Sequence, residues 1–269
     1  MPDGAAVSRE NSVLGIDIGG TRIKAALVDC RTGTLTMAMP SGTEIFQTDT
    51  PQPATPAALL SAIKQILSKW SWKGKTGCGF PGVIRNGKIL TGANVSPEWL
   101  GMNLLTELKK LGLSQSAVIN DADAAGLAEM NFGAGVGHNK KGGGVVLLVT
   151  LGTGIGSALF VDGILLPNTE FGHMEVDGAE IEKQAATSVQ EKQNLSWEEW
   201  GKRVNRVLSR LEKLINPDFI IIGGGVSERP EKFFPYLKLE AETVPAKMSN
   251  QAGIVGAAWL ADKLYHENQ

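Results

Sequence analysis

The chain is 269 residues long, sets 26 Lys and Arg against 28 Asp and Glu for a net charge of −2, and is 42% hydrophobic and 20% charged. Those proportions are those of an ordinary globular protein with enough chain for one sizeable core or two smaller ones. They argue against a general nucleic-acid or membrane-surface binder, and no apolar stretch approaches the ~18–20 residues that span a bilayer.

Residues 1–12 are polar and lack the apolar centre of a secretory signal, so they are expected to form a flexible N-terminal extension. Residues 13–29 read as a hairpin: a strand ending at Asp17, a turn through Gly19, Gly20 and Thr21, and a second arm. In that arm Ile23, Ala25 and Leu27 alternate with Lys24, Ala26 and Val28. Cys30 and Cys78 are the only cysteines. They are too few and too far apart for a disulfide framework or a metal cluster, which fits a reducing cytoplasm.

Thr55-Pro56 opens a helix whose apolar face is Leu59, Ile63, Ile66, Leu67 and Trp70. A short strand over 76–84 is broken at Phe80-Pro81-Gly82. A helix is predicted over Leu100–Leu111, stopped at Gly112. A strand at Ala117–Ile119 leads to Asn120 and to Asp121, which opens a small-residue helix. Gly133–Gly144 is a loop rich in Gly and Lys that holds His138.

Strands over 145–151 and 156–161 enclose a second glycine turn at Gly152, Thr153, Gly154 and Gly156, and Asp162-Gly163 is a hairpin turn. Trp197–Ile215 is the longest helical pattern, ended by Asn216-Pro217. Phe219–Ile222 is a buried strand running into Gly223, Gly224 and Gly225, and Ala252–His266 is a closing helix. Strands alternate with helices, so the fold class is α/β.

Glycine turns between strands clear the side chains that keep a phosphate away from backbone N–H groups. One such turn also reads as an ordinary hairpin, with Asp17 satisfying turn amides; two of them, with a third at Gly224 and Gly225, indicate a duplicated phosphate-gripping fold. Asp17 stands where it could order Mg²⁺ on a phosphate donor, with Lys24 one hairpin arm away. Taken alone, Asp121 is more simply an N-cap. Its functional reading is a general base that takes a hydroxyl proton while Asn120 orients the acceptor.

Glu170 and His173 flank a glycine in a polar segment and suit paired hydrogen bonds to vicinal hydroxyls. Arg203, Arg206, Arg210 and Lys213 form a basic stripe, either a solvated face or a track for a long polyanion. Trp99 reads equally as a sugar-stacking ring and as a core aromatic.

Together these motifs resemble the ROK family of sugar kinases, within the actin-like ATPase superfamily. Asp17-x-Gly-Gly-Thr21, Phe80-Pro-Gly82, Asn94, Asn120-Asp121, Leu151-Gly-Thr-Gly-x-Gly156, Glu170-x-Gly-His173 and Gly223-Gly-Gly225 stand in the family's order from Val13 to Leu264. The stretches 93–99, 166–178 and 250–257 are similar to those of its polyphosphate glucokinases. Many other members carry a cysteine-rich zinc site after Glu-x-Gly-His; this chain has no cysteine there, so no structural zinc is expected.

The resemblance implies a two-lobed actin-like ATPase (ribonuclease H-like) α/β fold with its active site in the interlobe cleft. The N-terminal lobe would be 13–119 plus about 254–269, and the C-terminal lobe 120–253. It implies Asp121 as catalytic base, and Asn94, Asn120, Asp121, Glu170, His173 and Glu182 on the sugar. Asp17, Gly19, Gly20, Thr21, Lys24, Gly152, Thr153, Gly154, Gly156, Gly224 and Gly225 would hold the donor.

The implied reaction is transfer from polyphosphate, or ATP, to the 6-hydroxyl of glucose with Mg²⁺, in a cytoplasmic homodimer that needs neither nucleic acid nor membrane. An ATP-dependent glucokinase, or a broader hexokinase or mannokinase, is the alternative. A sugar-binding repressor would place a helix-turn-helix domain before the first strand, where about twelve residues stand. A catalytically silent sensor would have no use for Asn120-Asp121.

Overall fold

The computed structural model describes residues 12–36 and 43–266. The expected extension therefore lies outside the described residues apart from Ser12, which opens the first strand. The chain forms two compact units, one running to Ala124 and taken up again from Gly253, the other Ala125–Ala252. The division falls after Ala124 and not after residue 119, so Asn120 and Asp121 belong to the first unit. The first turn of the helix they start stays there because Gly256 packs its backbone directly against the Ala124 carbonyl.

The first unit contains β1 (Ser12–Ile18), β2 (Arg22–Asp29), β3 (Thr34–Leu35), β4 (Phe46–Asp49), α1 (Pro56–Trp70), β5 (Thr76–Phe80), the small hairpin β6 (Ile84–Arg85) and β7 (Lys88–Ile89), α2 (Leu104–Lys110) and β8 (Ser116–Asn120). It then enters α3 (Asp121–Phe132). Its six-stranded sheet runs β3-β2-β1-β5-β8 with β4 also on β2. β1 and β2 are antiparallel, with Asp17 opposite Lys24, and β1, β5 and β8 are parallel.

Thr55 caps α1 by accepting from the Ala58 N–H at 3.3 Å, and the predicted apolar face of that helix is buried. The helix expected over Leu100–Leu111 is shorter. A 3₁₀ turn covers Pro97–Trp99, Gly101 takes φ +83°, and Asn103 caps α2 by accepting from the Thr106 N–H at 3.0 Å. The left-handed glycine and the cap together prevent an earlier start.

The second unit adds β9 (Val145–Leu151), β10 (Ile155–Val161), β11 (Ile164–Leu166), the hairpin β12 (Glu175–Val176) and β13 (Ala179–Glu180), α4 (Glu182–Ala185), α5 (Thr187–Gln193), α6 (Trp197–Ile215), β14 (Phe219–Gly223) and β15 (Glu242–Pro245). Its sheet runs β11-β10-β9-β14-β15. The three leading strands are antiparallel and β9, β14 and β15 parallel. That is the pattern of β3-β2-β1-β5-β8, so the echo between the two glycine turns is an echo between two sheets.

Asp162 and Gly163 turn the β10–β11 hairpin with φ +52° and +78°. Ser196 and Glu199 form a reciprocal capping box at the start of α6, and Asn216 ends the helix with φ +48°. Glu129 is fully buried. Its carboxylate accepts from the Ala134, Lys247 and Met248 N–H groups at 2.7, 3.1 and 2.6 Å, which offsets the desolvation of the charge.

The closing helix α7 (Ala252–His266) lies on the first unit's sheet at Gly15 and Gly77, where any Cβ would meet the Ile254 and Ala257 carbonyls. Gly77→Ala should therefore lower the urea midpoint by the equivalent of about 1–3 kcal/mol, a usual cost of overpacking. Gly137→Ala, with open space around its Cβ, should leave it unchanged.

Candidate functional site

In the first unit the polar residues gather where the parallel strands end, the usual position of ligands in open α/β sheets. Asp17 is half-buried near the end of β1. Burial pushes its carboxyl above the ordinary range, and the Lys24 charge opposes that shift. The carboxylate packs against Gly253 in the first turn of α7, where a Cβ would sit 2.7 Å from its Cγ. After β1 the Gly19 N–H donates to the Arg22 carbonyl at 2.9 Å, and the Thr50 hydroxyl to the Gly19 carbonyl at 2.6 Å. The turn is thus held by its backbone, and Thr21 stands exposed at its tip. Asn94, at φ +59°, lies beside Gly20, a Cβ on which would be 3.1 Å from the Asn94 Cβ.

Asn120, and not Asp121, is the N-cap of α3. Its Oδ1 accepts from the Ala122 and Asp123 N–H groups at 2.9 and 3.0 Å, and its Nδ2 donates to the Gly82 carbonyl at 3.2 Å. These bonds fix the strand-to-helix turn and place Asp121 on the first helical residue, half-buried. Gly79 of β5 lies between the two acidic positions. A Cβ there would be 3.6 Å from both Asp17 Oδ1 and the Asp121 Cα. Trp99 is fully buried; its indole N–H donates to the Ala54 carbonyl at 3.1 Å and its ring meets Phe80 at 5.3 Å. It is a core aromatic, and the sugar-stacking alternative falls.

In the second unit the turn through Gly152, Thr153 and Gly154 closes on itself, with the Gly152 N–H donating to the Gly154 carbonyl at 3.0 Å. The start of α5 braces it. Thr187 donates to the Leu151 carbonyl at 3.1 Å, and Ser188 donates from its hydroxyl to the Thr153 carbonyl at 2.7 Å. Gly224, at φ +87°, packs on the Leu151 backbone, which brings the third glycine turn against the second. Gly225 opens onto unobstructed space, and Gly156 continues into β10.

Glu170, His173 and Glu182 converge in that unit. Gly172 lets the short 3₁₀ turn carrying His173 approach the Ile155 carbonyl, and the Glu182 carboxylate lies over Gly154. His173 Nε2 is 3.7 Å from Glu170 Oε2 and Nδ1 is 3.6 Å from Glu180 Oε1. Desolvation raises the Glu170 carboxyl, with the His173 charge opposing and the Glu182 charge adding. One ligand atom each from His173, Glu180 and Glu182 lies within 4.8 Å of the others.

Of the basic stripe, Arg203 donates to Gln193 at 2.9 Å, and Arg206 donates to Gln184 at 2.6 Å and pairs with Asp177 at 3.2 Å. Gly79, Gly253, Ser188 and Glu180 were not singled out from sequence. The two glycines carry no motif of their own, Ser188 acts through a contact distant in sequence, and Glu180 reaches His173 only because the β12–β13 hairpin folds back.

Comparison with known proteins gives these arrangements a context. The profile of the ROK family matches residues 13–183 and 174–264. The chain is 46% identical over 256 residues to the polyphosphate glucokinase of Mycobacterium tuberculosis (strain CDC 1551 / Oshkosh), covering 95% of this chain and 92% of the relative. It is 43% identical to the corresponding protein of Mycobacterium leprae (strain TN), over 95% of this chain and 76% of the relative. Among solved structures, the inorganic polyphosphate/ATP-glucomannokinase of Arthrobacter sp. strain KM superposes with a TM-score of 0.87 at 42% identity, covering 94% of this chain and 99% of that one.

A raised carboxyl makes the stability contribution of Asp17 pH-dependent. Its folded state binds the proton more tightly than the unfolded state, so the parent loses stability as pH rises above the unfolded value of ~3.9. Asp17→Asn should therefore match the parent near pH 3.5 and exceed it in Tm at pH 7, measured by calorimetry across that range.

Proposed function

The chain belongs to the ROK family, and from that premise we propose that it transfers a phosphoryl group from inorganic polyphosphate to the 6-hydroxyl of glucose, giving glucose 6-phosphate. The observation that carries this reading is the 46% identity to a polyphosphate glucokinase over 95% of the chain. The disposition of the acidic and glycine residues supports it.

Asp121 is the base in this reading. Its carboxylate takes the proton as the 6-oxygen bonds to the terminal phosphorus, and the bridging P–O bond breaks to leave a polyphosphate one unit shorter. The Asn120 cap fixes the first turn of α3 and so the point from which Asp121 reaches the hydroxyl. Asn94, Asn120, Glu170, His173 and Glu182 bind and orient the sugar.

The turns at Gly19–Thr21 and Gly152–Gly154 are closed by the Gly19 and Gly152 N–H groups; their remaining backbone N–H groups, with Gly156, Gly224 and Gly225 clearing space, hold the donor phosphates. Lys24 adds positive charge. Asp17, a hard oxygen donor near the strand end, fits Mg²⁺ arriving with the donor. Mg²⁺ bound there supplies charge neutralisation of the phosphate oxygens. Cys30 and Cys78 are unpaired, which agrees with a cytoplasmic setting, and no helix among the described residues is long and apolar enough to cross a membrane.

A second reading is favoured by the Arthrobacter structure, whose protein is described as using polyphosphate or ATP and as a glucomannokinase: ATP and mannose then serve as well. Assays of glucose 6-phosphate formation with long-chain polyphosphate and with ATP should show turnover with polyphosphate. Turnover with ATP alone would move the protein to the ATP-dependent glucokinases. Asp121→Ala should lower kcat by about 10²–10⁴-fold, the usual worth of a general base, while glucose affinity by calorimetry stays within a few-fold. Near-parental kcat in a folded variant would remove Asp121 from the role.

A further inference from the structure

His173 has a carboxylate facing each ring nitrogen, and only one of the two belongs to a sugar-handling motif. Glu170 faces Nε2 at 3.7 Å; Glu180, on β13, faces Nδ1 at 3.6 Å. Glu180 is itself fixed. Lys183 Nζ sits 2.5 Å from its other oxygen, and that hydrogen bond is the main cause holding the Glu180 carboxyl below its ordinary range.

The hairpin that carries Glu180 is braced from below. The Gln184 amide donates to the Val176 and Ala179 carbonyls, both at 2.7 Å. Arg206 of α6 holds Gln184 at 2.6 Å and Asp177 in the hairpin turn at 3.2 Å. A line of contacts thus runs from the long helix through the hairpin to the imidazole. The ammonium on Glu180 weighs against a cation among His173, Glu180 and Glu182, because it already occupies the charge such an ion would use.

We propose that Glu180 is a positioning residue for His173. It accepts the Nδ1–H, sets the tautomer and the ring plane, and leaves Nε2 as the acceptor presented to a sugar hydroxyl. Orientation of a working imidazole by a carboxylate on its far nitrogen is a general device. The 3.6 Å separation is long for a formed bond; it closes when the sugar fixes the opposite edge of the ring, as hydrogen bonds in unliganded sites commonly do. Arg206 then serves as a strut for the hairpin and not as a station for polyanions. The assignment rests on the glucose reading above.

The test uses the full chain labelled with ¹⁵N-histidine. The chain has 3 histidines, so ring spectra are assigned with a single His173→Asn variant. At pH 8 the parent should show His173 as the Nδ1–H tautomer. Glu180→Ala should convert it largely to Nε2–H and raise the glucose KM about tenfold, the worth of one hydrogen bond. The kcat and the polyphosphate KM should stay within about threefold. Glu180→Gln, which keeps an acceptor oxygen, should restore both readouts.

Arg206→Ala should raise the glucose KM in the same sense and leave the dependence on polyphosphate chain length unchanged; it also serves if Glu180→Ala does not fold. An unchanged tautomer with a glucose KM within twofold of the parent overturns the proposal, as does an Arg206→Ala defect that grows with polyphosphate length. A parent that does not phosphorylate glucose would remove the functional reading, and the tautomer would still judge Glu180.

Discussion

A helix laid on strands stripped of side chains is the constraint from which the first unit follows. α7 touches β1 and β5 backbone to backbone at Gly15 and Gly77, an approach closer than ridges packing into grooves ordinarily give. That seating brings Gly253, in the first turn of α7, against the Asp17 carboxylate. The position of Asp17 and its desolvation therefore follow from backbone packing elsewhere in the sheet. Any atom added under the helix would be felt at the carboxylate.

The two sheets solve one chemical problem twice. In each, an antiparallel hairpin closes on a glycine turn beside parallel strands, and in each the turn is secured by side-chain hydroxyls that take backbone carbonyls: Thr50 in the first, Thr187 and Ser188 in the second. The Gly19 and Gly152 N–H groups close the turns on the Arg22 and Gly154 carbonyls, so the polar face suited to an anionic ligand is made of the remaining backbone N–H groups. The units differ in what they place nearby. Asp17 and Asp121 stand by the first turn, and Glu170, His173 and Glu182 stand by the second.

Much of this was legible in the sequence because it rests on local rules. The Thr55-Pro56 start of α1, the Asp162-Gly163 turn and the Ser196 to Asn216 span of α6 follow from caps, turn chemistry and periodicity, and the structure places them as expected. What escaped depends on distant partners. The start of α2 is an exception: the Gly101 turn and the Asn103 cap that set it at Leu104 are local signals. Asn120 and Asp121 were both visible, but which of them caps α3 is settled by the Ala122 and Asp123 N–H groups and the Gly82 carbonyl. The hairpin of β12 and β13 is too short to show a period, and its pairing is braced from outside by Gln184 and Arg206.

The order in which the chain is made adds a consequence of the split first unit. Its sheet ends with β8, but the helix that covers Gly15 and Gly77 belongs to a segment that begins only after the whole of Ala125–Ala252. During synthesis the bare face of β1 and β5 must wait, exposed, while the second unit emerges and folds as a domain of its own. The first unit is thus an unfinished sheet for roughly half of translation, a window in which chaperones or non-specific apolar association compete for the face that α7 later claims. Slow codons within the second unit would lengthen that window, and a nascent chain stalled before Gly253 would hold every residue of β1 and β5 without the helix that covers them.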